Sequence, residues 1–351
     1  MEKMEVIGLM SGTSLDGVDI SYCHFSLDQK WNFEIKKAET IPYSHEWSDR
    51  LRKLPDASAF QLALTDIEYG RYLGKLVHDF IRRYKLKVDL ISSHGHTVFH
   101  QPDKGLTLQI GKGTEIFAQT SVPVVYDFRS QDVALGGQGA PLVPIGDRKL
   151  FGEYDYCLNL GGIANVSYEQ DGNRIAFDIC PCNQVLNELA KAEGMEFDRD
   201  GKLAQSGKID HHLLDILNAI PFYHQTPPKS LGREWIEESF IPLVKKANIP
   251  IPDTMATCTE HIAFQVGRTT GSDRSKKLLI SGGGAMNKFL AERIKTFSSP
   301  QVIIPDQQLI NYKEALVFAF LGVLRWRSEI NCLSSVTGAI MDSSSGLLIG
   351  K

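Results

Sequence analysis

Residues 6–25, VIGLMSGTSLDGVDISYCHF, decide the fold. Val6 to Met10 is a short apolar run, and Ser11-Gly12-Thr13-Ser14 breaks it. Residues 18–25 then alternate well enough for a strand. Asp28-Gln29-Lys30 reads as a turn, and residues 31–40 resume as a strand. The start of the chain is therefore expected to be three antiparallel strands, with a polar glycine loop after the first.

The pattern returns about 150 residues later. Residues 156–160 are apolar, Gly161-Gly162 breaks the run, and residues 164–168 are strand-like. Asp171-Gly172-Asn173 is a hairpin turn, and residues 174–178 form a third strand. Two strand–glycine loop–strand–turn–strand units point to a duplicated architecture, although residue identity between them is low. Helical spacing follows each unit. Residues 56–84 place Phe60, Leu64, Ile67, Leu73, Leu76, Val77 and Phe80 mainly three or four apart. Residues 88–92 read as a buried strand, and residues 183–193 and 313–327 as helices. Residues 278–280 form a strand that runs into Gly282-Gly283-Gly284. Alternating strands and helices favour an α/β fold with mixed sheets.

Composition excludes several classes. The chain has 351 residues, 42% hydrophobic and 23% charged, which suits a folded protein of one or two domains and not a disordered, collagen-like or coiled-coil one. Lys and Arg number 38 against 42 Asp and Glu, a net charge of 38 − 42 = −4, so a general nucleic-acid coat is not expected. No apolar run approaches the roughly 18 residues of a membrane span. The acidic start MEKMEVIGLMSG lacks the cationic opening and long apolar stretch of a signal peptide. Six cysteines in this length do not make a disulfide scaffold, so a reduced cytoplasmic protein is expected.

Residues 8–19 are the richest in chemistry. Backbone N–H groups of a tight loop can point at phosphate oxygens, Ser and Thr hydroxyls add donors, and Asp16 or Asp19 can hold Mg²⁺. A hairpin with a polar tip is the plain alternative. Gly161-Gly162 offers a second such loop, and Gly282-Gly283-Gly284-Ala285 a third, where a flat ring can lie on backbone. Neither the P-loop nor the dinucleotide glycine pattern is present. His94, His96 and His100 admit metal binding, ligand contact or a structural role. Cys180-Pro181-Cys182 is weak as a metal pair. Asp178 ends a strand beside Pro181 and reads as a general base or as a turn aspartate. Arg129 reads as a carboxylate fork or as a surface ion pair.

Taken together, residues 8–19 (GLMSGTSLDGVD), 93–102 (SHGHTVFHQP), 107–111 (TLQIG) and 125–144 (VYDFRSQDVALGGQGAPLVP) resemble anhydro-N-acetylmuramic acid kinases. So do 159–167 (NLGGIANVS), 229–235 (KSLGREW), 281–287 (SGGGAMN), Glu314-Ala315 with Phe318-Ala319, and 335–339 (SVTGA). The resemblance runs in order over nearly the whole chain. It implies the sugar kinase/actin-like ATPase fold: two duplicated ribonuclease H-like α/β domains with mixed sheets around a nucleotide cleft. The expected division is a first domain over residues 1–130, a second over 131–335, and a tail over 336–351 that packs back.

The same resemblance implies ATP and Mg²⁺ as cofactors, an anhydro amino sugar as substrate, a homodimer, and a role in cell-wall sugar recycling. It places Ser11, Gly12, Thr13, Ser14 and Asp16 at the first phosphate loop, with Asp16 toward the metal. Gly161 and Gly162 form the second loop, and Gly282, Gly283, Gly284 and Ala285 the adenosine side. Thr97, Arg129 and Glu314 face the sugar, and Asp178 is the catalytic base. Two departures stand out. The family turn Asp-Thr-Gly-Pro-Gly-Asn is here Asp178-Ile179-Cys180-Pro181-Cys182-Asn183, so both glycines have become cysteine. A positive φ at either position would strain a cysteine. That keeps open a non-catalytic nucleotide-binding protein, beside a kinase for another anhydrosugar. The second departure, His96 in place of the family's usual glutamine, exchanges one hydrogen-bonding side chain for another.

Overall fold

The computed structural model describes residues 2–12 and 15–351, so Thr13 and Ser14 of the first glycine loop lie outside the described residues. The chain divides into two compact units, Met1–Leu150 with Tyr312–Lys351, and Phe151–Asn311.

The first unit opens with β1 (Glu2–Met10), β2 (Gly17–Leu27) and β3 (Trp31–Pro42), an antiparallel meander. Asp28-Gln29-Lys30 makes the second turn, as its composition predicts, with Leu27 paired to Trp31. β4 (Leu90–Ser93) joins the other side of β1 in parallel, after which β5 (His96–Gln101) and β6 (Leu106–Ile110) form a separate hairpin. β7 (Val124–Tyr126) is parallel to β4, and the last strand, Leu347–Ile349, pairs antiparallel with β7. The sheet order is thus Leu347–Ile349, β7, β4, β1, β2, β3.

The second unit repeats the plan. β8 (Tyr156–Leu160), β9 (Ile163–Gln170) and β10 (Asn173–Pro181) form the meander. Asp171 and Gly172 both take positive φ, the requirement of a two-residue hairpin turn. β11 (Lys277–Ser281) lies parallel to β8, and β12 (Gln301–Ile303) parallel to β11. In both sheets the first strand lies between an antiparallel neighbour and a parallel one, with the order third, second, first, fourth, fifth. That shared order is the duplicated architecture expected of this α/β chain. Among the described residues no helix is long and apolar enough to cross a membrane.

Helices cover the sheets by burying one stripe each. The helix Ala59–Tyr84 starts with a reciprocal cap: Gln61 N–H donates to Ser58 Oγ, and Ser58 N–H to Gln61 Oε1. Tyr69, Leu73, Val77 and Phe80 go into the core with Ile7, Leu9, Val18 and Ile20. The expected stripe began too early, since Phe60 is 76% and Leu64 39% exposed. Gly70 and Gly74 do the packing that periodicity assigned to larger residues. A Cβ on Gly70 would stand 2.8 Å from Lys112 O, and one on Gly74 3.1 Å from Ile116 Cα. In the second unit, Leu158, Leu160 and Val166 pack with Val185 and Leu186 of the helix Asn183–Ala192, and with Ile262 and Val266 of the helix Ile251–Thr270.

The unit boundaries differ from the expected 130/131 and 335/336. Hydrogen bonding around Asp132 accounts for this. The buried carboxylate accepts from Gly139 N at 2.7 Å, Thr337 Oγ1 at 2.8 Å and Cys332 Sγ at 3.1 Å. These bonds join residues 131–150 to the final segment, which is itself held to the first sheet by the pairing of Leu347–Ile349 with β7. Asp132→Ala strands these donors in a dry site. It is expected to cost about 2–4 kcal/mol, read as a lowered denaturation midpoint; an unchanged midpoint would show that the clasp carries no stability.

Candidate active site

Strand polarity decides where the first unit presents chemistry. β1, β4 and β7 run parallel, with Leu9 opposite Ser93 and Ser93 opposite Tyr126. The segments carrying Ser11, His94 and Arg129 therefore leave the sheet at one edge, the carboxyl edge at which open α/β sheets bind ligands. Buried Ser11 spends its hydroxyl on Gly95 O at 2.7 Å, which ties the first loop to the histidine loop. Gly12 is half-buried and Asp16 exposed.

Arg129 donates from Nε and Nη2 to His94 Nε2, at 3.1 and 2.8 Å, and from Nη1 to Gly139 O at 2.6 Å. Among the described residues no carboxylate lies within ion-pair distance of it. Desolvation brings its pKa down to about 10, opposed by the field of Glu314, so it stays charged at neutral pH. Glu314 keeps more than a third of its surface exposed but is surrounded by protein. Desolvation raises its pKa; Arg129 pulls it down and Asp19 pushes it up. Asp19 is itself raised by burial, and its Oδ1 accepts from Thr40 Oγ1 at 2.6 Å. The structure thus brings Arg129 and Glu314 into one electrostatic neighbourhood. Thr97 stands on β5 with its hydroxyl accepting from Gln109 Nε2 at 3.4 Å, and no described contact joins it to that pair.

The three histidines part company. His94 binds Arg129, His96 packs edge-on to Tyr69 with its pKa lowered by burial to about 4, and His100 meets Thr107 Oγ1 at 3.1 Å. Among the described residues no group of three His, Cys, Asp or Glu side chains could hold a metal ion.

The second unit carries Asp178 at a bulge in β10, where the register with β9 shifts between Asp178 and Cys180. Its backbone N–H donates to Lys229 O at 3.1 Å, and its Oδ2 accepts from Leu231 N at 2.8 Å. The strap of residues 229–231 therefore holds the aspartate at both ends. Lys229 is fixed over the Phe222 ring at 4.7 Å, and its Nζ donates to Phe222 O. One carboxylate oxygen is anchored and Oδ1 has no partner among the described residues. Desolvation raises the Asp178 pKa, against the lowering effect of the Leu231 bond.

Neither cysteine of the altered turn has a positive φ. Both are fully buried in the core of this unit, and burial pushes their thiols up, that of Cys182 to about 12. They are inert packing groups, and the strain that a positive φ would bring does not arise.

The glycine loops divide by purpose. Gly161 and Gly162 have no positive φ; a Cβ on Gly162 would find nothing nearer than 3.8 Å, while one on Gly161 would press on Asn159 Nδ2 at 3.3 Å. Their carbonyls accept from Asn183 N, and from Cys182 N and Gln184 N, which seats the loop against the next helix. Gly283 likewise has open space around it. By contrast, Gly282 takes φ +80°, and a Cβ on Gly284 would meet Leu160 Cβ at 2.7 Å. The fold requires glycine at 282 and 284, whereas Gly162 and Gly283 have room for a side chain.

Next to Ala285 opens a cavity of about 450 Å³, lined by Met286, Lys288, Ala291, Gln307 and Ile310 among others. That volume suits a small-molecule group. The sequence reading reached Ala285 and Met286 through the stretch 281–287 and missed Gln307 and Ile310, which lie on the helix Gln307–Trp326 ahead of its Glu314-Ala315 motif. A smaller cavity of about 160 Å³, beside Tyr156, Tyr168 and Lys276, lies at the other ends of these strands, away from the loops.

Residues 4–350 match the family model for anhydro-N-acetylmuramic acid kinase. An anhydro-N-acetylmuramic acid kinase of Mannheimia succiniciproducens is 33% identical, over 100% of both chains. One from Hydrogenovibrio crunogenus is 33% identical over 97% of this chain and 96% of its own. One from Caldanaerobacter subterraneus subsp. tengcongensis is 35% identical over 96% and 95%. With strand order, site loops and full-length similarity in agreement, this chain belongs to the anhydro-N-acetylmuramic acid kinase family.

Proposed function

We propose that this chain uses ATP and water to open the 1,6-anhydro ring of anhydro-N-acetylmuramic acid and phosphorylate O6, giving N-acetylmuramate 6-phosphate and ADP. The observation that carries the reading is Asp178, a carboxylate anchored at Oδ2 by Leu231 N–H with Oδ1 unengaged. Asp178 takes a proton from water as its oxygen bonds to C1. The C1–O6 bond breaks with its electron pair on O6. O6 bonds the γ-phosphorus, and the bond to the ADP oxygen breaks. The proton then passes from Asp178 to solvent. Glycosidases use a second carboxyl group to protonate the leaving oxygen. Here the phosphoryl group captures that oxygen, so one base suffices.

Several features support the binding roles. Arg129 is a half-buried cation with no ion-pair partner among the described residues, suited to the lactyl carboxylate of the sugar. That favours the muramic sugar over an anhydrosugar without a carboxylate. Thr97 and Glu314 join it at the sugar. Gly12, Thr13 and Ser14, with Gly161 and Gly162, receive the phosphates, and the loop Gly282–Ala285 with the cavity beside Ala285 takes the adenosine. Asp16 would hold Mg²⁺, which neutralises phosphate charge when bound. The lack of a protein cage among the described residues fits an ion held by one or two carboxylates, water and phosphates. The buried, negative-φ cysteines weigh against the non-catalytic reading. A cytoplasmic setting belongs to the same proposal, consistent with six free, buried cysteines.

Asp178→Asn should keep ATP affinity within about twofold and lower kcat by about 10²–10⁴, the usual worth of a general base. Near-normal turnover would remove Asp178 from that role. The base works only when ionised, and its pKa is raised from 3.8. The acid limb of the kcat/KM profile is therefore expected above the ordinary aspartate range, with activity falling as pH drops through it. A limb at or below that range would contradict the assignment.

A further inference from the structure

We propose that His94 is the positioning residue that aims Arg129 at the carboxylate of the sugar while leaving its charge unspent. The inference rests on the reading of Arg129 as the carboxylate ligand. A guanidinium has five N–H donors. Three are used here, at Nε and Nη2 on His94 Nε2 and at Nη1 on Gly139 O. The two that remain are one on Nη1 and one on Nη2, so each terminal nitrogen keeps a donor for a carboxylate oxygen.

The tautomer of His94 follows from its partners. Nδ1 lies 2.9 Å from Gly95 O, which only accepts, so Nδ1 carries the proton. Nε2 therefore presents its lone pair to the guanidinium. The ring packs against Phe318, 4.6 Å away between centroids and tilted by 58°, and the backbone N–H donates to Leu9 O at 3.0 Å. Gly95 O is shared with Ser11 Oγ, so the orientation of Arg129 is traced back to the end of β1. Both imidazole nitrogens are spent on protein groups. His94 thus has none left for the sugar, and it acts through Arg129.

The choice of a neutral acceptor matters. An aspartate in this place would also orient the fork, but it would neutralise the charge that the ligand needs. His94 and the Gly139 carbonyl orient it without doing so. Burial and the nearby guanidinium hold the His94 pKa well below its usual value, which keeps Nε2 an acceptor at neutral pH.

The test compares KM for the anhydro-muramic sugar with KM for its neutral lactyl-amide, in four proteins. Wild type is expected to favour the acid at least tenfold. His94→Asn can still bond Gly95 O but is too short to reach the guanidinium, and should lose most of that preference while KM for ATP stays within about twofold. His94→Gln places Oε1 near the position of Nε2 and should keep the preference within about threefold. Arg129→Gln should abolish it. Wild-type preference in His94→Asn, or equal losses in His94→Asn and His94→Gln, would overturn the positioning role. Wild-type preference in Arg129→Gln would instead overturn the carboxylate reading beneath it. Thermal midpoints of the variants give a separate measure of folding.

Discussion

The first strand of each sheet is hydrogen-bonded antiparallel on one side and parallel on the other, and the candidate site depends on that constraint. In the first unit it puts the carboxyl ends of β1, β4 and β7 at one edge, with Leu9, Ser93 and Tyr126 in register. Ser11, His94 and Arg129 follow within three residues of those ends. In the second unit β8 and β11 deliver Gly161-Gly162 and Gly282–Ala285 to the corresponding edge. β10, two antiparallel steps from β8, runs the same way and brings Asp178 there. The ladder's hydrogen bonds thus gather residues far apart in the chain before any side-chain contact is counted.

Side chains then refine what polarity gathers. Asp178 is gripped by a strap 51–53 residues later in sequence, through Lys229 O and Leu231 N. Arg129 is gripped by two neutral acceptors. In one case a carboxylate keeps an oxygen available, and in the other a cation keeps its charge available. Both are partly desolvated, which strengthens their electrostatic interactions. The altered turn next to Asp178 changes core packing, since Cys180 and Cys182 are buried thiols at negative φ.

Much of this was legible in the sequence because its signals are local. Asp28-Gln29-Lys30 and Asp171-Gly172 mark turns by backbone preference, so both meanders were expected. Strand ends extended further than the alternation showed, to Leu27 and Gln170, because edge residues pair through backbone whatever their side chains. The helix Ala59–Tyr84 was over-read at Phe60 and Leu64 because Gly70 and Gly74, invisible to hydrophobic spacing, form its contact. The boundaries of the units depend on Thr337 and Cys332 meeting Asp132, and the cavity on Gln307 and Ile310 meeting Ala285. Such long-range contacts leave no local signature. The resemblance supplied the roles of Arg129 and Asp178; geometry adds how each is held.

Family membership makes this chain a kinase of an anhydro sugar. The most direct measurement is ADP release by the wild-type protein with Mg²⁺, ATP and anhydro-N-acetylmuramic acid, with the product followed by mass. Sugar-dependent ADP release is expected, with one ADP per sugar and a product heavier by one water plus one phosphoryl group. ATP binding without sugar-dependent ADP release, or a phosphorylated product with the anhydro ring still closed, would contradict it.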